Sequence, residues 1–188
     1  MRSADTRLDQ GAERIERELA DQPAVQACTM QVMGEVYQRL GAFDAAAPLL
    51  ERSLMLRRGL SGAPPLDVAA SLNNLAVVLR HKSQFDEAEV RYGEALAMRE
   101  RLYDGPHPDV AHTLNRLARL YSNQGDYAAA EPTARRALAM RIEVFGEAHV
   151  ETTASMGSLA GILGRLERYD EQAAIYRRAL ESLSVLTQ

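Results

Sequence analysis

A repeat of 42 residues constrains the fold of this chain more than any other feature of its sequence. Residues 68–80 read VAASLNNLAVVLR, and residues 110–122 read VAHTLNRLARLYS. The two stretches that begin there align without a gap, so that Leu72 and Leu114 are 42 residues apart (114 − 72 = 42). A fixed period of this kind is the signature of small structural units that become stable by stacking on one another.

The same spacing of apolar positions continues in both directions along the chain. Forward it includes Met156 and Leu159, and backward it includes Met30 and Gly34. We therefore expect one continuous solenoid domain with these parts: an N-terminal capping helix within 1–23 and four repeats at 24–67, 68–109, 110–151 and 152–188.

Each repeat has the pattern of two helices. In the second repeat, Leu72, Leu75, Ala76 and Leu79 follow the i, i+3, i+4, i+7 spacing and predict a first helix over about 68–81. A second stripe that begins at Phe85 predicts a helix over about 85–102. The predicted fold class is therefore all-α, a stack of four helix-turn-helix units.

The segment before the first repeat is a further helix candidate. Leu8, Ala12, Ile15 and Leu19 form one narrow apolar stripe within residues 4–20, and most of the remaining positions are charged. We interpret it as a capping helix, since the terminal unit of a stack needs a polar outer face.

The motif of each unit resembles a known repeat family. The pattern is Leu-x-x-Leu-Ala-x-x-Leu/Tyr, then Gly-x-Tyr/Phe, and later Tyr-x-x-Ala-Leu, which resembles the tetratricopeptide repeat. The usual unit has about 34 residues. The longer unit here, with SLNNLAVVLR, FDEAEVRYGEALAMRE and GPHPDVA, is similar to the kinesin light chain type over about four fifths of the chain. The resemblance implies a right-handed solenoid. HEAT repeats have an overlapping period, but the alanine and tyrosine positions favour the tetratricopeptide family.

Some positions depart from this pattern, and one further segment has a second, looser resemblance. A short segment, here called a joint, connects each repeat to the next. The first joint has Pro64 and Pro65 in place of Gly-x-His-Pro, and the third joint lacks the proline. In the fourth repeat, Gln172 occupies a position where alanine is usual. The segment LDQGAERIERELADQPAVQA resembles the C-terminal region of certain bacterial serine/threonine kinases. The chain has no glycine-rich loop, HRD or DFG motif, so that relation implies a sensor or scaffold part of a larger signalling protein.

Composition and charge narrow the functional classes. The net charge of −4 argues against a nucleic-acid binder, and the short apolar runs argue against a membrane partner. A single cysteine permits no internal disulfide, and the charged N-terminus does not resemble a signal peptide, so we expect a cytoplasmic protein. His107 and His149 occupy equivalent joints, but repeat spacing separates them too far to share a metal. We expect no metal and no cofactor.

Charge is distributed unequally between the two helices of each repeat. Residues 68–81, 110–123 and 152–165 contain no Asp or Glu, and Glu35 is the only acid in 24–39. The second helices carry most of the acids instead. In the tetratricopeptide family the first helices line a concave groove, so the resemblance implies a basic groove on an acidic protein.

The polar residues of the first helices that fall outside the apolar stripe are the candidate peptide-binding residues. They are Asn73, Asn74, Arg80, His81, His112, Asn115, Arg116, Arg119 and Asn123, with Arg39 and Arg165 near the ends. Asparagine can pair with both groups of a peptide backbone, and arginine can bind a carboxylate through two parallel hydrogen bonds. The resemblance implies that Asn73, Asn74 and Asn115 match positions that hold a peptide. The alternative is that these side chains only solvate an exposed helix face.

Two functional hypotheses follow. The first is a non-catalytic scaffold for protein–protein interaction that binds an acidic or C-terminal peptide in the groove. The second is a self-assembly element, in which another copy or the N-terminal helix fills the groove. Leu180, Leu183 and Leu186 make the end of the last helix apolar and favour a homodimer through that helix. An enzyme is not supported, since no nucleophile lies beside a base in these patterns.

Overall fold

The computed structural model describes residues 11, 14, 15 and 17–186, and these form an all-helical fold. Eight complete helices follow one another in this part of the chain, which contains no strand. They are α1 (Pro23–Arg39), α2 (Phe43–Gly59), α3 (Pro65–His81), α4 (Phe85–Leu102), α5 (Pro108–Gln124), α6 (Tyr127–Phe145), α7 (Val150–Arg165) and α8 (Tyr169–Leu186). The prediction of two helices in each repeat is confirmed.

Proline sets the start of the first helix in three repeats. Pro23, Pro65 and Pro108 each occupy the first turn, where a missing N–H costs no hydrogen bond. Because Pro65 can begin the helix, α3 starts three residues before the predicted position at 68. The bounds predicted for α4 agree with the structure.

The expected N-terminal capping helix falls only partly within the described residues. Residues 11, 14, 15, 17 and 18 are helical, whereas Leu8 and Ala12 lie outside the described part. A Cβ atom added to Gly11 would lie 3.5 Å from Cε of Met33, so this segment approaches α1. This contact is consistent with a segment that covers the first repeat.

The described chain divides into two compact units. The first ends at Met98 and the second begins at Arg99, so the division falls within α4. In the first unit α2 packs against both α1 and α3, and in the second unit α6 packs against both α5 and α7. Within each unit, the second helix of a repeat thus contacts the first helix of the following repeat.

Small residues at equivalent positions allow this close packing. Ala76 and Ala88 in the first unit and Ala118 and Ala130 in the second are fully buried. The fourth repeat has Gln172 at the position of Ala130, and there Gly164 provides the room. The Gln172 amide donates to the carbonyl of Ala160 at 3.0 Å, and a Cβ on Gly164 would lie 2.4 Å from Gln172 Nε2.

The turn between the two helices of a repeat contains one residue in the left-handed conformation. Gly41 and Gly125 have φ of 75° and 79°, and Ser83 and Glu167 have φ of 61° and 60°. The four positions follow the 42-residue period (41, 83, 125 and 167). Glycine adopts this conformation without a steric penalty, whereas a residue with a Cβ atom is strained there.

Replacing Glu167 by glycine should therefore stabilise the protein. Glu167 is exposed, so the substitution removes strain and leaves the helical packing intact. We expect the free energy of unfolding to rise by about 1 kcal/mol, as measured by urea denaturation. The reverse change, Gly125→Glu, should lower it by a similar amount. Equal stability of Glu167→Gly and the parent protein would contradict the argument.

The two joint histidines have structural roles. Nδ1 of His107 accepts a hydrogen bond from the backbone N–H of Asp109 at 3.1 Å, and its ring stacks on Tyr103. His149 repeats the arrangement with the N–H of Glu151 at 3.2 Å. Each histidine thus caps the N-terminus of the following helix, α5 or α7.

An arginine in the preceding helix also fixes the start of α5 and of α7. Nη1 of Arg99 donates to the Asp109 carbonyl at 3.0 Å, and Nη1 of Arg141 donates to the Glu151 carbonyl at 2.5 Å. Arg57 makes the same contact with the carbonyl of Asp67 at 2.7 Å. The three arginines are spaced by 42 residues (57, 99 and 141). In each case a buried or half-buried guanidinium of a second helix donates to the first turn of the helix that follows.

Candidate functional site

A cavity lies between α5 and α7, the first helices of the third and fourth repeats, and both helices belong to the second unit. Its volume is about 290 Å³. It is lined by Arg119, Ser122, Asn123, Gly157, Ser158, Gly161, Ile162 and Arg165. α6 packs against both α5 and α7 and so holds the two helices that form the walls of the cavity.

Two glycines on α7 leave this cavity open. Gly157 and Gly161 occupy the positions of Asn115 and Arg119 in the preceding repeat (157 − 115 = 42). A Cβ atom added to either glycine would meet no atom within 4 Å, so both face open space. Glycine inside a helix costs roughly 1 kcal/mol relative to alanine. Gly157 and Gly161 thus lower the helix propensity of α7 and leave its backbone exposed at the cavity.

The wall of the cavity is cationic. Arg119 and Arg165 are both exposed, and no acidic residue is among the described residues that line the cavity. Arginine stays charged at all accessible pH values and presents a planar set of donors that suits a carboxylate. Asn123 adds an amide with both a donor and an acceptor. The lining therefore provides binding groups for an anionic, peptide-like ligand.

A histidine–arginine pair lies on the same helix outside the cavity lining. Nε of Arg116 donates to Nε2 of His112 at 2.6 Å. Burial is the main cause that lowers the pKa of His112 to about 4, and the charges of Arg116, Arg141 and Arg99 lower it further. His112 is therefore a neutral acceptor at pH 7, and it orients the Arg116 guanidinium.

The predicted binding residues of the second unit are thus divided between two places. Arg119 and Asn123 line the cavity, whereas His112 and Arg116 bind each other. Asn115 is half-buried, and its side-chain oxygen has no hydrogen-bond partner among the described residues. Arg165, which we expected only near the end of the groove, lies on the cavity wall.

The predicted binding residues of the first unit mostly serve the internal structure. Asn73 is 4% exposed and Arg80 is 9% exposed, so neither presents its side chain on an open face as we expected. Arg80 lies 2.9 Å from Nε2 of His81, and the ring of His81 stacks on Phe43. Asn74 is half-buried and donates to Glu35 at 2.7 Å.

Sequence reasoning missed the contributions of α7 to the cavity. Gly157 and Gly161 were not among the predicted residues, because glycine has no functional side chain, and Ser158 was not predicted either. A signal was nevertheless present. The segment MGSLAGILGR has three glycines within one helix, where the two preceding repeats have none at the equivalent positions. Glycine in a helix interior indicates a close approach or an open surface.

The described part of the chain contains no group of three or more histidine, cysteine, aspartate or glutamate side chains that could hold a metal ion. None of the helices in this part combines the length and the apolar character that a membrane-spanning helix needs.

Comparison with protein families and known proteins identifies the repeat. Models described as tetratricopeptide repeat match residues 67–143 and 124–184, and another model with the same description matches residues 29–63. No curated protein sequence matches the chain.

Solved structures have the same fold at low sequence identity. BtubC (BKLC) from P. vanneervenii is 19% identical with a TM-score of 0.75, over 97% of this chain and 72% of that one. A putative kinesin light chain with nearly identical TPR-like repeats from Podosopora anserina is 20% identical with a TM-score of 0.74, over 98% and 90%. The apo form of RapI is 13% identical with a TM-score of 0.77, over 92% and 61%. The predicted similarity to kinesin light chain-like repeats is confirmed at the level of the fold.

Proposed function

Since this chain belongs to the tetratricopeptide repeat family, whose fold is a scaffold for protein–protein interaction, we propose that it is a non-catalytic module of the cytoplasm that binds an acidic peptide. The binding site in this proposal is the cavity between α5 and α7. Its ligand is an acidic segment or a free C-terminal carboxylate. The observation that carries the proposal is the pair Arg119 and Arg165 on the wall of a cavity that Gly157 and Gly161 leave open.

The chemistry of the cavity supports this ligand class. A carboxylate can bind one guanidinium through two parallel hydrogen bonds, and each such contact contributes on the order of 1.5–3 kcal/mol. The two glycines permit a peptide backbone to approach the helix more closely than a side chain would allow. Groove peptides of micromolar affinity bind with about −8 kcal/mol, so two arginine contacts would supply a large share of the affinity.

Filling the cavity tests this site directly. Gly161→Leu should stabilise α7 by about 0.8 kcal/mol, because leucine is a better helix former than glycine, while the side chain occupies the space for the ligand. We expect at least about a tenfold loss of affinity for a fluorescein-labelled hexapeptide of alternating Asp and Ala with a free C-terminus. Fluorescence anisotropy measures the binding, and urea denaturation measures the stability.

The matched control is Gly93→Leu in α4. Gly93 is also an exposed helical glycine with open space around it, and it lies outside the cavity. This variant should gain similar stability and keep the parent affinity. If Gly161→Leu binds the peptide as tightly as Gly93→Leu, the cavity is not the binding site.

A second candidate function is self-association through α8. Tyr176, Leu180 and Leu183 follow one helical stripe and are 46%, 67% and 41% exposed. The equivalent positions in α6 include Ala134 and Leu138, which are 2% and 5% exposed because α6 packs against α7. The fourth repeat therefore presents on its surface the face that the third repeat buries.

The charges beside this stripe favour a second copy as the partner. Arg177 and Glu181 are exposed and one turn apart, so two antiparallel copies of α8 bring each arginine near the glutamate of the other copy. Sedimentation velocity should detect a dimer that forms with a Kd of roughly 10–100 µM. Leu180→Lys should abolish it, and Met55→Lys, at another exposed apolar position, should not. A monomer at all concentrations up to about 1 mM would exclude this function.

A further inference from the structure

Glu35 in α1 is an acidic residue on a helix face that we expected to be basic. It is the only Asp or Glu within Pro23–Arg39. One carboxylate oxygen, Oε1, accepts hydrogen bonds from Nδ2 of Asn74 at 2.7 Å and from Nε2 of Gln31 at 2.9 Å. The carboxylate is therefore held between α1 and α3 of the first unit.

A second layer of hydrogen bonds fixes the groups that hold Glu35. The side chain of Gln31 is 7% exposed, and its oxygen accepts from the hydroxyl of Ser71 at 2.6 Å. This contact turns the nitrogen of Gln31 toward Glu35. Ser53 lies 3.5 Å from the same oxygen and donates to the carbonyl of Ala27 at 2.7 Å. The orientation of the carboxylate is thus set by packed groups, which lowers the entropy cost of binding a ligand there.

The charge of Glu35 is not neutralised within the described part of the chain. Its two hydrogen-bond donors are uncharged amides, and no lysine, arginine or histidine of the described residues forms an ion pair with it. Glu131 in the second unit differs, because Arg135 and Arg168 both bind its carboxylate. Glu35 is only half-buried, and its second oxygen, Oε2, has no hydrogen bond to any described residue.

We propose that Glu35 is a binding site for a cationic group, namely a lysine or arginine side chain of a partner protein. An ordered carboxylate with one unused oxygen matches an ammonium or guanidinium donor. Val32, one turn before Glu35 on the same helix, is 55% exposed and offers an apolar surface for the aliphatic stem of such a side chain. The first unit would therefore select a positive charge, whereas the cavity of the second unit selects a negative one. This site is independent of Arg119 and Arg165.

Nuclear magnetic resonance of the full chain tests this site. The probes are acetyl-Ala-Lys-Ala-amide, its arginine analogue, and the norleucine and glutamate analogues as neutral and acidic controls. The side-chain amide resonances of Asn74 and Gln31 report on the site, because both amides contact the carboxylate. We expect saturable shifts with the lysine and arginine peptides at roughly millimolar concentration and no saturable shift with the controls.

Glu35→Gln is the diagnostic variant, since it keeps an oxygen that can accept from Asn74 and Gln31 while it removes the charge. We expect it to weaken binding of the cationic peptides at least about tenfold. It should leave binding of the acidic hexapeptide unchanged, so failure of this site and failure of the acidic-peptide cavity are distinguishable. The proposal is overturned if the norleucine peptide shifts the amides equally, if no peptide shifts them, or if Glu35→Gln binds the lysine peptide as well as the parent.

Discussion

Replacement of both Arg119 and Arg165 by glutamate is expected to weaken binding of the acidic hexapeptide at least about 100-fold. Each substitution removes a charge-assisted contact of about 1.5–3 kcal/mol and places a negative charge near the ligand. Both arginines are exposed on the first helices of their repeats, so the double variant should retain its helical content and its free energy of unfolding. Fluorescence anisotropy and circular dichroism measure the two quantities on the same samples.

The control variant carries the same change of net charge at another place. Arg101→Glu with Arg136→Glu changes exposed arginines of α4 and α6, outside the cavity and outside α8. Its affinity should fall by less than about threefold at 0.15 M salt, where charges more than about 8 Å away are largely screened. If both double variants lose the same affinity, the peptide is attracted by the overall charge of the protein rather than by the cavity.

A substitution of Arg116 distinguishes a specific contact in the cavity from a general effect of positive charge on peptide binding. The sequence placed His112, Arg116 and Arg119 on one helix face at spacings of four and three, and their binding roles could not be ranked from that spacing. The structure shows that His112 binds Arg116, whereas Arg119 lines the cavity. A single Arg119→Glu substitution should therefore weaken the peptide more than a single Arg116→Glu substitution.

The helices were predictable from the sequence because their signals are local. Phe85 and Leu102 bound α4 as expected, and Pro108 begins α5 where proline at the first turn is favourable. The period of 42 residues then predicted that the units stack. These inferences need only neighbouring residues and one repeated spacing.

The exposure of individual polar residues was less predictable, because a stacked helix has more than one buried face. Asn73 lies outside the apolar stripe of α3 yet is 4% exposed, whereas its neighbour Asn74 is half-buried and binds Glu35. A single amphipathic stripe describes the contact with one neighbour. It does not indicate the contacts that a helix of a repeat array makes with a second and a third helix.

The cavity was not predictable for a different physical reason. It depends on groups that are absent, since Gly157 and Gly161 replace residues with side chains at equivalent positions. Asn123 and Arg165 are 42 residues apart, so the repeat period places them at equivalent positions of adjacent units. The period does not indicate whether space is left between those units, which depends on the packing of the two helices and on the two glycines.

Arg141→Ala is expected to lower the free energy of unfolding of the second unit by about 2–4 kcal/mol. Arg141 is 3% exposed, and burial lowers its pKa, so the protein must compensate a desolvated charge. It does so through the Glu151 carbonyl, the Ser155 hydroxyl at 3.0 Å and the Glu151 carboxylate at 2.8 Å. Alanine leaves a cavity and removes the donor to the buried Ser155 hydroxyl and to the Glu151 carbonyl.

The equivalent residue of the first repeat provides a control within the same chain. Arg57 donates to the carbonyl of Asp67 but is only half-buried, so Arg57→Ala should cost about 1 kcal/mol. Amide hydrogen exchange measures the local stability of each helix. We expect the amides of α7 to lose protection in Arg141→Ala, and the amides of α3 to lose less protection in Arg57→Ala. Equal losses in the two variants would show that burial of the guanidinium does not determine the strength of the joint. The predicted difference would instead mean that the start of α7, and with it one wall of the cavity, depends on Arg141.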